Sequence, residues 1–198
     1  PPLQCGSTSI SENGNGSLMR ILSVALYAYT RNLDDISIQR LTDEMSSLTH
    51  SHEVSRLGCY IYVRFIICLL KGYTKEEVYN YIQSLDYSSY SLNSINLYTR
   101  ILNAAIKDQA IDSIKSTGYI VDTLECALWI FMNAMDYKES IIASTNIGGD
   151  TDTIGAIVGS MSGIYYGFES IPSKWLDKLQ RKEYLMELTS KFEKCVKE

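Results

Sequence analysis

Apolar residues return at intervals of three and four along nearly the whole chain, the spacing that lines one face of a helix. Leu18, Ile21, Leu22, Ala25 and Leu26 predict a first helix starting near Ser17, and Leu41, Met45 and Leu48 a second. A third is expected over residues 53–70, with Leu57, Tyr60, Ile61, Arg64 and Cys68 in register. Thr74-Lys75-Glu76-Glu77 opens the next: the Thr74 hydroxyl can accept from the Glu77 amide while the Glu77 carboxylate reaches back, the reciprocal pattern of a capping box. Further helical segments fall near 94–107, 122–135, 138–145 and 173–193, with 84–94, rich in Ser and Tyr, as a surface loop. Proline occurs only at positions 1, 2 and 172, so no such breaker interrupts the interior. The pattern predicts an all-α fold in one domain spanning residues 1–198.

The most apolar of these helices follows Gly148-Gly149-Asp150-Thr151-Asp152-Thr153 and carries Gly155, Gly159, Gly163 and Gly167 at every fourth position. Such a stripe lets a neighbouring helix approach closely. Because each glycine costs up to about 1 kcal/mol of helix propensity, four of them imply a compensating gain from packing, and this helix is expected to be the buried centre of the bundle. Two carboxylates and two hydroxyls at its start suit a hard, oxygen-ligated cation such as magnesium, manganese or calcium better than zinc. An EF-hand does not fit, since Ile154 and Met161 stand at the fifth and twelfth loop positions where oxygen ligands belong. A plain reading competes with the cation site: Asp-Thr-Asp after Gly-Gly also serves as a turn and helix N-cap.

Composition narrows the partners. The 198 residues are 45% apolar with a net charge of -5, enough for a sizeable core. Lys and Arg are dispersed, so nucleic acid is not an expected partner. The longest apolar stretch, 61–70, contains Arg64 and is too short to cross a bilayer. Five widely spaced cysteines without a C-x-x-C pair indicate neither a disulfide framework nor a zinc site, and fit a reducing, cytoplasmic setting. The chain begins Pro1-Pro2 without an initiator Met, so a segment upstream is expected.

Two further clusters carry candidate chemistry. Glu12-Asn13-Gly14-Asn15-Gly16-Ser17-Leu18-Met19-Arg20 is a glycine-interrupted turn leading into a helix; free amides and small residues there would admit a diphosphate, although Asn-Gly-Asn-Gly is also an ordinary turn. Thr49-His50-Ser51-His52-Glu53 holds both histidines. With no soft third ligand nearby, they suit donation to a phosphate or ribose better than zinc ligation, and plain loop histidines remain the simpler reading.

The order of these segments resembles the ADP-ribosylglycohydrolase family: Asn15-Gly16-Ser17-Leu18-Met19-Arg20, then Leu48-Thr49-His50, then Gly118-Tyr119-Ile120-Val121-Asp122-Thr123-Leu124-Glu125 with Ala127-Leu128-Trp129, then 146–155 and Tyr165-Tyr166-Gly167. The resemblance implies a compact multi-helix orthogonal bundle with two magnesium or manganese ions, cleaving the glycosidic bond of ADP-ribosylated proteins or related conjugates. It makes Asp150, Asp152 and Thr153 metal ligands, with Asp152 the candidate to bridge both ions. Gly14, Asn15, Gly16, Ser17, Met19, Gly148 and Gly149 would line the ADP-ribose cleft, and His50 would contact substrate, with His52 a weaker match. Glu12 stands where some relatives carry an acidic group that handles protons.

The family also has an early Gly-Asp and Glu segment and a Thr-Asp-Asp-Thr type run, and this chain has neither. Its one Asp pair, Asp34-Asp35, reads as a helix cap. The expectation is therefore an N-terminally shortened member holding half of a binuclear site, which alone would bind a cation weakly, with self-association as one way to complete it. The alternative is a noncatalytic ADP-ribose-binding or structural member.

Overall fold

A computed structural model describes residues 5–197, and among them the regular structure is helical, with only two isolated bridges, Ser7 to His50 and Gly14 to Tyr119. The helices are α1 (Leu22–Thr30), α2 (Asp35–Ser47), α3 (Glu53–Leu70), α4 (Lys75–Ser84), α5 (Leu92–Leu97), α6 (Thr99–Leu102), α7 (Ile120–Asn133), α8 (Tyr137–Asn146), α9 (Thr151–Tyr166), α10 (Ser173–Lys178) and α11 (Lys182–Lys197). The expected all-α class stands. None of the described helices is long and apolar enough to cross a membrane.

Local chemistry fixes several ends. Thr74 and Glu77 form the expected capping box at α4. Asp34 caps α2 by accepting from the Ser37 amide at 2.8 Å. Asp35 beside it pairs with Arg64 at 2.6 Å, which is how α3 carries a guanidinium in its buried stretch. The Arg64 side chain lies between the rings of Tyr60 and Tyr81, a cation–π arrangement that shares the cost of burying its charge.

The helix that carries the core is α3. It is buried from Leu57 through Leu69 and packs against α1, α2, α4, α7 and α9. This corrects the expectation that the glycine-bearing helix, α9, sits at the centre. Its glycines do face a close neighbour: a Cβ on Gly155, Gly159 or Gly163 would lie 3.6, 3.4 and 3.9 Å from Ser144, Ile141 and Tyr137, all on α8. The face of α9 opposite the glycines, with Ile154, Ile157, Val158 and Met161, is buried, while Ala156 beside the stripe and Tyr165 near the C-terminal end are exposed. The stripe therefore serves one tight helix pair at the flank of the core.

Four other expectations shift. The first helix does not begin near Ser17; a short 3-10 turn, Leu18–Arg20, comes first and α1 starts at Leu22. Segment 94–107 divides at Tyr98, whose buried hydroxyl donates to the Val54 carbonyl at 2.8 Å and holds the chain against α3. Segment 173–193 breaks after α10, where Arg181 takes φ 53°, a left-handed conformation that ends helical continuity. In the 84–94 loop, Tyr87 and Tyr90 are buried against Tyr60, with their hydroxyls on the Ile82 carbonyl and Asp43. Burial raises the Cys59 and Cys68 thiols to about 11 and the Cys126 thiol to about 12, so these three are packing residues rather than nucleophiles.

Candidate functional site

Asn15, Thr123 and Asp150, far apart in the chain, meet at one carboxamide. Asn15 Nδ2 donates to Asp150 Oδ2 at 2.6 Å and to Thr123 Oγ1 at 2.9 Å. The Asn15 amide holds the Asp150 carboxyl below its usual range, with Thr153 and Asp152 acting in the same direction against partial burial. Asp150 stands at the N-cap of α9 without making a side-chain capping bond. Its carboxylate is thus turned to Asn15 instead of to the helix amides, and the plain N-cap reading fails for that side chain.

The turn before Asp150 depends on glycine. Gly148 and Gly149 take φ 83° and 66°, and a Cβ on Gly149 would collide with the Ser116 backbone carbonyl. That carbonyl accepts from the Asp150 amide at 2.9 Å. The next two carbonyls act alike: Thr117 O accepts from the Thr123 hydroxyl at 2.8 Å and Gly118 O from the Asn15 amide at 3.0 Å. Three consecutive carbonyls of one strap, 116–118, hold the three residues of the network.

The glycine turn at 14–17 lies against His50. A Cβ on Gly16 would stand 3.0 Å from His50 Cε1, and one on Gly14 3.4 Å from Nε2. The loop carrying His50 is fixed from the N-terminal side, where the Ser7 amide donates to Thr49 O and the Ser7 carbonyl accepts from the Ser51 and His52 amides. Thr49 Oγ1 lies 2.7 Å from His50 Nδ1 and accepts from Arg20, which also donates to Gly16 O at 3.0 Å. Partial burial and then the Arg20 charge lower the His50 pKa, while Glu12 acts in the opposite direction.

The remaining expected residues divide. Met19 is exposed beside α9, with its sulfur 3.8 Å from the Thr153 hydroxyl. Asp152 is exposed and Thr153 buried on the first turn of α9. Ser17 is turned into the core, where its hydroxyl accepts from the Cys59 thiol, so its claim on a ligand rests on its amide. Glu12 ends an exposed 3-10 turn. His52 is a structural cap: its Nδ1 accepts from the Val54 amide at 3.3 Å and from Asn13 Nδ2 at 3.1 Å, which places its hydrogen on Nε2.

A family model described as ADP-ribosylglycohydrolase matches residues 1–198. The chain belongs to the ADP-ribosylglycohydrolase family. It is 29% identical over 189 residues to an ADP-ribosylarginine hydrolase, Tri1, of Serratia proteamaculans (strain 568), covering 92% of this chain and 47% of that protein. Against the ADP-ribosyl-(dinitrogen reductase) glycohydrolase of Rhodospirillum rubrum the identity is 29% over 174 residues, covering 88% and 53%. The chain spans about half the length of these curated relatives. A solved structure titled ADP-ribosylglycohydrolase-related protein complex superposes with a TM-score of 0.76 at 26% identity, covering 92% of this chain and 60% of that one.

Within this ADP-ribosylglycohydrolase domain, the implied metal can be weighed against the donors. Asp150, Asp152 and Thr153 offer only oxygen, as magnesium or manganese requires, and Asp150 keeps acceptor capacity beyond its bond from Asn15. They fit as part of an oxygen set. Among the described residues, no group of three or more His, Cys, Asp or Glu could hold a metal ion. The sequence reading gave no role to Ser116, Thr117 or Thr123. The only signal was the run 118–125, which marked the family without revealing that backbone carbonyls at its first residue and the two before it organise the site.

Proposed function

We propose that this chain forms the ADP-ribose-binding part of a hydrolase that cleaves the glycosidic bond of ADP-ribose conjugates, with ADP-ribosylated arginine the leading substrate class. The observation that carries the reading is the gathering of the Gly14–Gly16 turn, His50 and Asp150 around Asn15. Family membership and the names of the matched relatives support the substrate class.

In this reading the Gly16 and Ser17 amides, which donate to no backbone carbonyl among the described residues, face the diphosphate. His50 borders the turn as an imidazole whose charge is disfavoured, so it can share a hydrogen bond with ligand oxygen near neutral pH. Asp150, Asp152 and Thr153 would hold magnesium or manganese as part of an oxygen ligand set. When bound, the ions supply Lewis acidity and a water of lowered pKa. Hydrolysis places the water oxygen on the anomeric carbon and a proton on the departing side chain. Glu12 is the candidate to manage that proton, as its carboxylate acts on His50 at the edge of the turn.

Titration calorimetry of the chain with ADP-ribose, with and without magnesium, tests the binding. Specific binding that weakens at least about tenfold in Asn15→Ala supports the reading; no specific heat from the folded wild-type chain overturns it. A noncatalytic ADP-ribose binder is the second reading, favoured by the absence of a three-residue acidic or histidine cluster among the described residues. Release of ADP-ribose from an ADP-ribosylated arginine peptide by the magnesium-loaded full-length protein selects the hydrolase, and ADP-ribose binding without release by that full-length protein selects the binder.

A further inference from the structure

The hydrogen-bond network around Asn15 has a definite polarity. Thr123 is fully buried, and its hydroxyl spends its single hydrogen on the Thr117 carbonyl at 2.8 Å. Towards Asn15 it can therefore only accept, and the group facing it must be the Asn15 Nδ2. The second Nδ2 hydrogen goes to Asp150 Oδ2 at 2.6 Å. Both amide hydrogens are committed, and Oδ1 has no protein donor among the described residues. Rotating the carboxamide by half a turn would place its oxygen against a carboxylate and against a hydroxyl with no hydrogen to give.

The Thr117 carbonyl that sets this polarity is itself fixed. The Thr117 hydroxyl donates to Asp122 at 2.7 Å and accepts from the Tyr119 amide at 3.2 Å. Its flanking carbonyls hold the Asp150 and Asn15 amides. The strap therefore grips both residues by their backbones, and Thr123 controls how their side chains face each other.

We infer that Thr123 is a positioning residue of the site: it fixes which end of the Asn15 carboxamide meets Asp150, and so orients the carboxylate and reserves Asn15 Oδ1 as an acceptor for a ligand hydroxyl. A buried Val would fill the same space and abolish the control, while Ser would keep it. The relay stands on the geometry alone; its consequence for a cation rests on the function proposed above.

Two measurements on the whole chain separate these. In nitrogen-15 NMR spectra, with the Asn15 side-chain amide assigned by its loss in Asn15→Asp, its hydrogens exchange with water far more slowly than those of exposed Asn93. Thr123→Val accelerates that exchange roughly fivefold to tenfold, the effect of losing one hydrogen bond, and Thr123→Ser restores it to within about twofold. Wild-type exchange as fast as Asn93, unchanged exchange in the Val variant, or failure of Ser to rescue overturns the inference. Should Thr123→Val not fold, the wild-type and Ser measurements decide. Manganese titration forms the second arm: weaker binding in the Val variant with recovery in Ser supports the cation-orienting role. Altered amide exchange with unaltered manganese affinity leaves the relay standing and removes the cation reading.

Discussion

His50 is the residue whose surroundings most directly set a solution property. Its imidazole is partly withdrawn from water and faces the Arg20 guanidinium, and both disfavour the protonated form, so it titrates below the ordinary 6.5. A histidine whose folded value is depressed contributes stability that is complete above its unfolded value and is lost as pH falls through the folded one. NMR titration of the ring protons should therefore give a value under 6.5 in wild type, a rise in Arg20→Gln, and little change in Arg20→Lys, where the charge is kept. A wild-type value at or above the ordinary one would contradict the geometry. At this scale the sequence was informative where a side chain has distinctive chemistry: Asn15, His50 and Asp150 could be named as candidates. It was silent on Ser116 and Thr117 because a carbonyl acceptor belongs to every residue and leaves no trace in residue type.

Among the elements, α3 was legible to both ends, from uninterrupted periodicity, and α4 at its start, from reciprocal capping. The breaks near Tyr98 and Arg181 were not, because they arise from a tertiary hydrogen bond and a left-handed backbone rather than from Pro or Gly. One glycine within α3 shows the same override of local preference. Gly58 lies where a Cβ would collide with the Tyr98 hydroxyl and press on Ile120. Helix propensity alone says that Gly58→Ala should stabilise by up to about 1 kcal/mol. Packing says the reverse, a loss of about 1–3 kcal/mol from overfilling a tight contact. Thermal denaturation reads the sign directly, and a raised midpoint would show that Tyr98 moves away without cost.

Across the whole molecule, order is unevenly distributed. The buried apolar side chains of α1, α3, α7 and α9 form one continuous cluster, whereas α11 buries only Val196 and leaves Tyr184, Leu185, Met186 and Leu188 exposed. It meets α1, and its half-buried Phe192 borders a cavity shared with Val24, Tyr27, Leu41 and Met45. Few buried contacts mean a low free energy for local opening. Hydrogen exchange followed by mass spectrometry should show the amides of 182–197 exchanging well before those of α3, and equal protection would contradict the loose attachment of this helix. The all-α architecture was visible in the sequence because periodicity is additive along a chain. Which helix lies innermost was not, since α3 and α9 are both strongly apolar and only their neighbours distinguish them.

The strap at 116–118 also has a kinetic meaning. Asn15 reaches its two partners across separations of 108 and 135 residues, so no local fragment of the chain can assemble the network. Loop closure over such distances is slow and must await collapse of the helices between. The site is then expected to form late in folding and to be lost with the global transition. Ligand recognition at Asn15 would consequently report on completion of the native state, appearing in refolding experiments only after the helical signal has recovered.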